Sequence, residues 1–342
     1  MPRRKKYESR RTTPWESPGR TPSQEFIRKN YRDEYKKKHV SPGDTNEVEL
    51  INSMVPPKCP FCGSPGIAKK GRNEYGLQRY ICKSCGRRFL PTTGTIFDEH
   101  KLAIKEWIDY TLMLLRYVSI TADSWENRNS FSTSRYWLEK IFLVLEDYPS
   151  TIVLKGRVWL DETFYALRKE DVQLNPDGSR PRGLSRNKMC MAVACDTRYA
   201  LCLLIGTGKP SQKAILEAFK DHIEPGSTVV HDEEGAHKKL IEALGLHSEA
   251  YSSKSLKGLP DKDNPLFRVN NVHARLKNFL DAHSGFMRSE MQNYLNLFML
   301  DMNPPANKLE KVDILLNLAF QNPKTLRYRE FYARKKDTFP QK

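Results

Sequence analysis

The stretch Arg157-Val158-Trp159-Leu160-Asp161-Glu162-Thr163-Phe164-Tyr165-Ala166-Leu167 decides how the second half of this chain is read. It is rich in aromatic and β-branched residues and reads as a strand. Asp161 and Glu162 interrupt it in the middle. Adjacent side chains of a strand leave opposite faces, so the two acids cannot both aim at one regular site. A carboxylate inside an apolar strand is costly unless it is paired or binds a cation. The pair is therefore either an ordinary feature (a salt bridge or an exposed strand edge) or the start of a metal-binding site.

Further strands and helices follow. Lys188 to Cys195 is a second strand, Asp196 to Tyr199 a turn, and Ala200 to Gly206 a third strand that the tight turn makes antiparallel to the second. A helix is expected over Ser211 to Ile223, behind Pro210. A short strand runs from Ser227 to His231, and a helix from Ala236 to Leu244 is ended by Gly245. Asn270 to His283, Met287 to Leu300 and Lys308 to Phe320 are further helices. The class is α/β, and three strands, a helix, a strand, then helices is the element order of the RNase H-like fold. Asp232 ends the fourth strand. Carboxylates at the ends of neighbouring strands can hold a pair of divalent ions, and hard oxygen ligands suit magnesium or manganese. With Glu233 and Glu234 behind it, Asp232 also reads as an acidic helix start. His273 and Lys277 share one helix face beside the stripe Leu276, Phe279 and Leu280, so His273 is a ligand, a proton shuttle or a polar residue at the core edge.

Upstream, Cys59-Pro60-Phe61-Cys62 and Cys82-Lys83-Ser84-Cys85 form two C-x-x-C knuckles separated by nineteen residues. Two such turns supply four thiolates in a tetrahedron, so structural zinc is expected on Cys59, Cys62, Cys82 and Cys85. Gly63 and Gly86 follow the knuckles, where backbone amides fold back toward sulfur. Arg72, Arg79, Lys83, Arg87 and Arg88, interleaved with Tyr75, Tyr80 and Phe89, suit phosphate contacts plus stacking, although ribbons of this kind also mediate protein contacts. Cys190, Cys195 and Cys202 read as small buried hydrophobes. Between the knuckles and the first long strand lie helices over Lys101 to Tyr117, Thr121 to Asn127 and Arg135 to Leu145, the last capped by Ser132 to Ser134. Their spacing fits either a helix-turn-helix that offers Arg135 to DNA or a plain helical linker. The expected organisation is a basic disordered arm (1–55), a zinc ribbon (56–96), a helical DNA-binding region (97–150), an α/β domain (156–301) and a helical, basic tail (302–342). A short charged helix is expected over Gln24 to Lys38 within the arm.

The chain carries 57 Lys and Arg against 41 Asp and Glu, a formal net charge of +16. That balance calls for a polyanionic partner, nucleic acid or an anionic membrane. No apolar run of ~18 residues and no leader-like segment is found, so a soluble intracellular protein is expected. Seven cysteines, four of them in knuckles, point to metal and not to disulfides.

The two knuckles, Arg87-Arg88-Phe89 and Thr93-Gly94-Thr95 resemble the zinc-ribbon head of bacterial and archaeal insertion-sequence transposases. Asp161-Glu162-Thr163, the strand ending at Asp232 and the Asn270-x-x-His273 helix resemble their RNase H-like DDE domain of the ISXO2-like type. The resemblance covers roughly residues 56 to 300. It implies that Asp161 and Asp232 are the first two catalytic carboxylates and hold Mg2+ or Mn2+. His273 stands where the family usually has a glutamate, which supplies charge that an imidazole does not. Asp281 or Glu290 could stand in for that acid. It further implies nicking at element ends and attack of the 3′-hydroxyls on target DNA. Arg182, Arg186, Lys188, Arg275 and Lys277 would steer the double-stranded backbone of terminal repeats and target. A homo-oligomer on DNA in a prokaryotic, nucleoid-associated setting is implied as well. The alternatives are a catalytically impaired DNA-binding regulator, a nuclease that cuts without joining, and an RNA-associated zinc protein.

Overall fold

Glu47–Ser53 forms a helix, α1, where the disordered arm was expected to continue. Its anchor is a buried acid. Glu47 Oε2 accepts the Ile104 backbone N–H at 2.6 Å, and Glu47 Oε1 lies 2.6 Å from His100 Nε2. A carboxylate at a helix N-terminus satisfies an otherwise orphaned donor. Asn52 accepts the N–H of Gln78 at 2.7 Å and donates to the Gly76 carbonyl at 3.0 Å, so α1 ties the cysteine-rich unit to the helices that follow. The computed structural model describes residues 21–23, 25–26, 46–179, 181, 186–233, 235–331 and 333. The rest of the expected basic arm, most of its expected helix, Arg182, Glu234 and the end of the basic tail lie outside the described residues.

The cysteine-rich unit is a three-stranded antiparallel sheet of β1 (Ile67–Arg72), β2 (Gln78–Cys82) and β3 (Arg88–Phe89), in the order β1-β2-β3. It has its own small core of Cys59, Tyr80, Cys82 and Phe89. Helices α2 (Ile104–Leu114), α3 (Ile120–Glu126) and α4 (Phe131–Leu145) come next. Ser130, not Ser132 to Ser134, caps α4: its side chain accepts the Thr133 N–H at 3.1 Å. The helix therefore starts four residues before the expected Arg135.

The main sheet has five strands: β4 (Arg157–Ala166), β5 (Lys188–Cys195), β6 (Ala200–Thr207), β7 (Thr228–Asp232) and β8 (His247–Tyr251). Their order is β6-β5-β4-β7-β8. β4 pairs antiparallel with β5, and β5 with β6, while β7 and β8 run parallel to β4. The class is α/β with a mixed sheet, as expected. β8 was not anticipated. Helices α5 (Gln212–Phe219) and α6 (Lys238–Leu244) flank β7 in the chain, and Gly245 at φ 59° closes α6. Helix α7 (Phe267–Ala282) packs on β4 and β5, α8 (Met291–Met302) packs on β6 and α4, and α9 (Lys308–Gln321) packs on α2 and α4. Phe97, Trp107, Leu138, Leu160, Phe279, Phe298 and Phe320 belong to one continuous core, so the helical region and the sheet bury a common apolar surface. Cys190, Cys195 and Cys202 are buried, as read.

Arg135, expected as a DNA contact, is enclosed in this packing. Its guanidinium is paired with Glu290 and, at 3.0 Å, with Glu139, and its side chain is 10% exposed. Its single positive charge, enclosed between two carboxylates, is turned inward. The plain packed helix, not a presented recognition helix, accounts for α4. Breaking a buried pair leaves an uncompensated charge, so Arg135→Ala should cost about 3–5 kcal/mol in a denaturant titration. DNA affinity per folded molecule should stay unchanged in a binding assay corrected for folded fraction.

Candidate metal centres and active site

The four knuckle sulfurs converge. Cys59 Sγ lies 3.7 Å from Cys85 Sγ, and Cys62 Sγ lies 3.6 Å from Cys82 Sγ. A zinc ion with bonds near 2.3 Å has ligands about 3.8 Å apart, so this donor set fits it. Gly63 and Gly86 sit at φ 72° and 70°, which side-chain-bearing residues rarely adopt. They let each knuckle fold back, with the Phe61 N–H on Cys59 Sγ at 3.4 Å and the Ser84 N–H on Cys82 Sγ at 3.4 Å. Backbone N–H groups of Cys85 and Ser84 favour the thiolate of Cys82 and lower its pKa from the ordinary value. Arg72, Lys83, Arg87 and Arg88 are exposed around the cluster. Arg79 is half-buried and donates to the Arg72 carbonyl at 2.6 Å, so it braces β1 and is less free to meet a partner.

The second centre lies where β4 and β7 run side by side. Leu160 pairs with His231 in the parallel register, which carries Asp161 alongside Asp232. Burial pushes the Asp161 carboxyl up to about 7, and the charges of Asp232 and Glu162 add to that effect. His273 projects from α7 with Nδ1 3.8 Å from Asp161 Oδ2, a proximity longer than a hydrogen bond. Its Nε2 is buried with no hydrogen-bond partner. Burial, with Lys277 nearby, pushes the imidazole down to about 4, so near neutral pH it offers a lone pair. Asp161, with Asp232 alongside and His273 Nδ1 3.8 Å away, thus gathers two carboxylates and an imidazole, donor types that suit a divalent cation, at one end of the sheet.

Glu162 leaves the other face of β4, as alternation requires. Its Oε1 lies 3.0 Å from His237 Nε2, and its side chain is 6% exposed. His237 and His231 were not singled out from the sequence. Their partner Glu162 lies 75 residues from His237, and no local spacing announces the contact. The two alternative acids do not reach Asp161's partners: Glu290 is committed to Arg135, and Asp281 accepts the Tyr165 hydroxyl at 3.0 Å. Arg186, Lys188, Arg275 and Lys277 are exposed.

Residues 153–301 match the family described as the ISXO2-like transposase domain. This stretch is thus similar to an insertion-sequence transposase domain. A curated relative, an uncharacterised protein in transposable element ISH50 of Halobacterium salinarum, is 27% identical over 256 residues, spanning 71% of this chain and 84% of the relative. Partial likeness extends to the simian T-cell lymphotropic virus intasome bound to PP2A regulatory subunit B56 gamma, at 11% identity, 43% of this chain, 48% of that one and TM-score 0.29. It also extends to the Mos1 mariner paired end complex with Mn, at 12% identity, 70% of this chain, 65% of that one and TM-score 0.26. The chain spans about half to two thirds of the length of these solved chains. No helix among the described residues is long and apolar enough to cross a membrane.

A raised carboxyl contributes stability that is full below its ordinary value of 3.8 and lost as pH rises through about 7. A cation that binds the ionised form reverses that loss. The gain in Tm on adding excess Mn2+ should therefore grow from about pH 5 to about pH 7. Asp161→Asn should abolish most of this gain, as read by scanning calorimetry of zinc-replete protein.

Proposed function

We propose that the chain is a DDE-type DNA transposase that nicks the ends of its element and joins the 3′-hydroxyls to target DNA. The observation that carries this reading is the parallel register that sets Asp161 beside Asp232, with His273 Nδ1 3.8 Å from Asp161. The antiparallel β6-β5-β4 ribbon continued by parallel β7 and β8 supports an RNase H-like reading of the domain. Asp161 and Asp232 hold Mg2+ or Mn2+, with His273 as the third group. Such ions activate the attacking oxygen and stabilise the leaving one. The chain's own part is to keep Asp161 in a partly dry site, where a cation would favour its ionised form, with Asp232 alongside.

The four cysteines hold structural zinc and fix a ribbon whose exposed Arg72, Lys83, Arg87 and Arg88 contact DNA phosphates, with Arg79 bracing them. Arg186, Lys188, Arg275 and Lys277 steer the backbone toward Asp161. Arg182 belongs to the same proposed group. Two element ends must be held together, so the active species is a homo-oligomer on DNA. A soluble, nucleoid-associated location follows from that substrate.

The impaired-regulator reading has one observation in its favour: His273 brings no negative charge. Both readings are tested by incubating purified protein with its own flanking ends in Mg2+ and in Mn2+. Joined products, lost in both Asp161→Asn and Asp232→Asn, are expected, with Mn2+ the better metal. His273→Glu should raise activity in Mg2+ relative to Mn2+. Binding without cleavage in either metal, with zinc retained, would leave the regulator.

A further inference from the structure

Behind the acid pair, on the opposite face of the sheet, Glu162, the buried His237 and His231, and the exposed Ser248 form a chain of contacts that the proposed reaction does not use. Glu162 Oε1 lies 3.0 Å from His237 Nε2. His237 Nδ1 lies 3.1 Å from His231 Nδ1. His231 Nε2 lies 2.9 Å from Ser248 Oγ. His237 is 0% exposed and His231 5%. The two rings meet edge to face, with centroids 5.0 Å apart and planes at 79°. Asp232, the residue after His231, brings a carboxylate oxygen to the same place: one ligand atom each from His231, Asp232 and His237 lie within 4.8 Å of one another.

The hydrogen-bond roles are constrained. A carboxylate only accepts, so His237 Nε2 carries hydrogen toward Glu162. One proton is then shared between the two facing Nδ1 atoms. Their 3.1 Å separation is also close to the distance of about 3.3 Å between two ligands of a tetrahedral ion with metal–nitrogen bonds near 2.05 Å. The far nitrogen of each ring is already fixed, one by a carboxylate and one by a hydroxyl. That is how imidazoles that bind metal are usually oriented.

We propose that His231 Nδ1, His237 Nδ1 and the Asp232 carboxylate form a binding site for one borderline transition cation of the Zn2+ class. The cation takes the place of the proton between the two rings. That proton relocates to His231 Nε2, where Ser248 Oγ accepts it, so each ring keeps one N–H and no net proton is released. Two imidazoles select Zn2+, Co2+ or Ni2+ over Mg2+, whereas the Asp161–Asp232 pair prefers hard cations. Asp232 is common to both sites, and an ion on the histidine side fixes its carboxylate from behind. The half-exposed Asp232 gives the ion its way in.

The test counts metal in the full chain, with no DNA and no activity readout. Protein stripped with chelator, reloaded with excess Zn2+ and desalted is analysed by mass spectrometry for zinc per chain. Two zinc ions are expected, one on the cysteines and one here. His231→Gln and His237→Gln should each hold one, and Asp161→Asn should still hold two. With Co2+, the cysteine site gives an intense thiolate charge-transfer band. That band should persist in the histidine variants and shows that they fold, while the weaker ligand-field bands of a nitrogen–oxygen site disappear. Glu162→Gln, which keeps the shape of the side chain, should weaken the second zinc on the order of 10–100-fold. One zinc per chain in the wild type, or a second zinc that survives in both histidine variants, would overturn the site. Failure of the transposase reading would appear as absent nicking and would leave these counts unchanged.

Discussion

The desolvation of Asp161 is the constraint on which the rest of this molecule turns. A carboxylate in the middle of a strand that also carries Trp159, Leu160 and Phe164 is held well above its ordinary range by burial. Such a group must stay protonated or find a cation. The proposed site takes the second course. β7 lies parallel to β4 in a register that brings Asp232 alongside, and α7 sets His273 Nδ1 3.8 Å from Asp161. Apolar burial of Val272, Leu276 and Phe279 aims α7. The functional geometry is thus a by-product of ordinary core packing around one costly residue.

Strand alternation divides the labour of two adjacent acids. Asp161 faces α7. Glu162 faces the turn between β7 and α6 and orients His237, which meets His231. The C-terminal end of β7 consequently serves both networks: His231 belongs to the histidine side, Asp232 lies within reach of both, and the peptide between them is held by pairing to β8. Neither network stands on a long loop. Both are carried by central strands, whose positions are fixed by hydrogen bonding on two sides.

Much of this was legible in the sequence. The knuckles announce themselves because four thiols in two C-x-x-C turns have few other uses. β5, with Met189, Met191 and Val193 buried along with the residues between them, matched its expected bounds because it is buried on both faces. Asp161 stood out because its setting is apolar. What stayed hidden has physical reasons. The edge strand β8, His-Ser-Glu-Ala-Tyr, is largely exposed and carries no apolar alternation. Helix α1 is short, and its stability comes from Glu47 reaching residues more than fifty positions away. Arg135 looks like a DNA contact until Glu290, 155 residues on, is folded against it. Pattern reading detects periodicity and local chemistry, whereas these features depend on long-range pairing.

The central claim is that Asp161 and Asp232 jointly hold a hard divalent cation beside His273. Crystals of zinc-loaded protein soaked in MnCl2, with diffraction data collected at the manganese absorption edge, test it most directly. An anomalous peak within bonding distance of both carboxylates is the result this account predicts. Manganese absent from that position at full soak, with the two acids still side by side and the zinc ribbon intact, would contradict it.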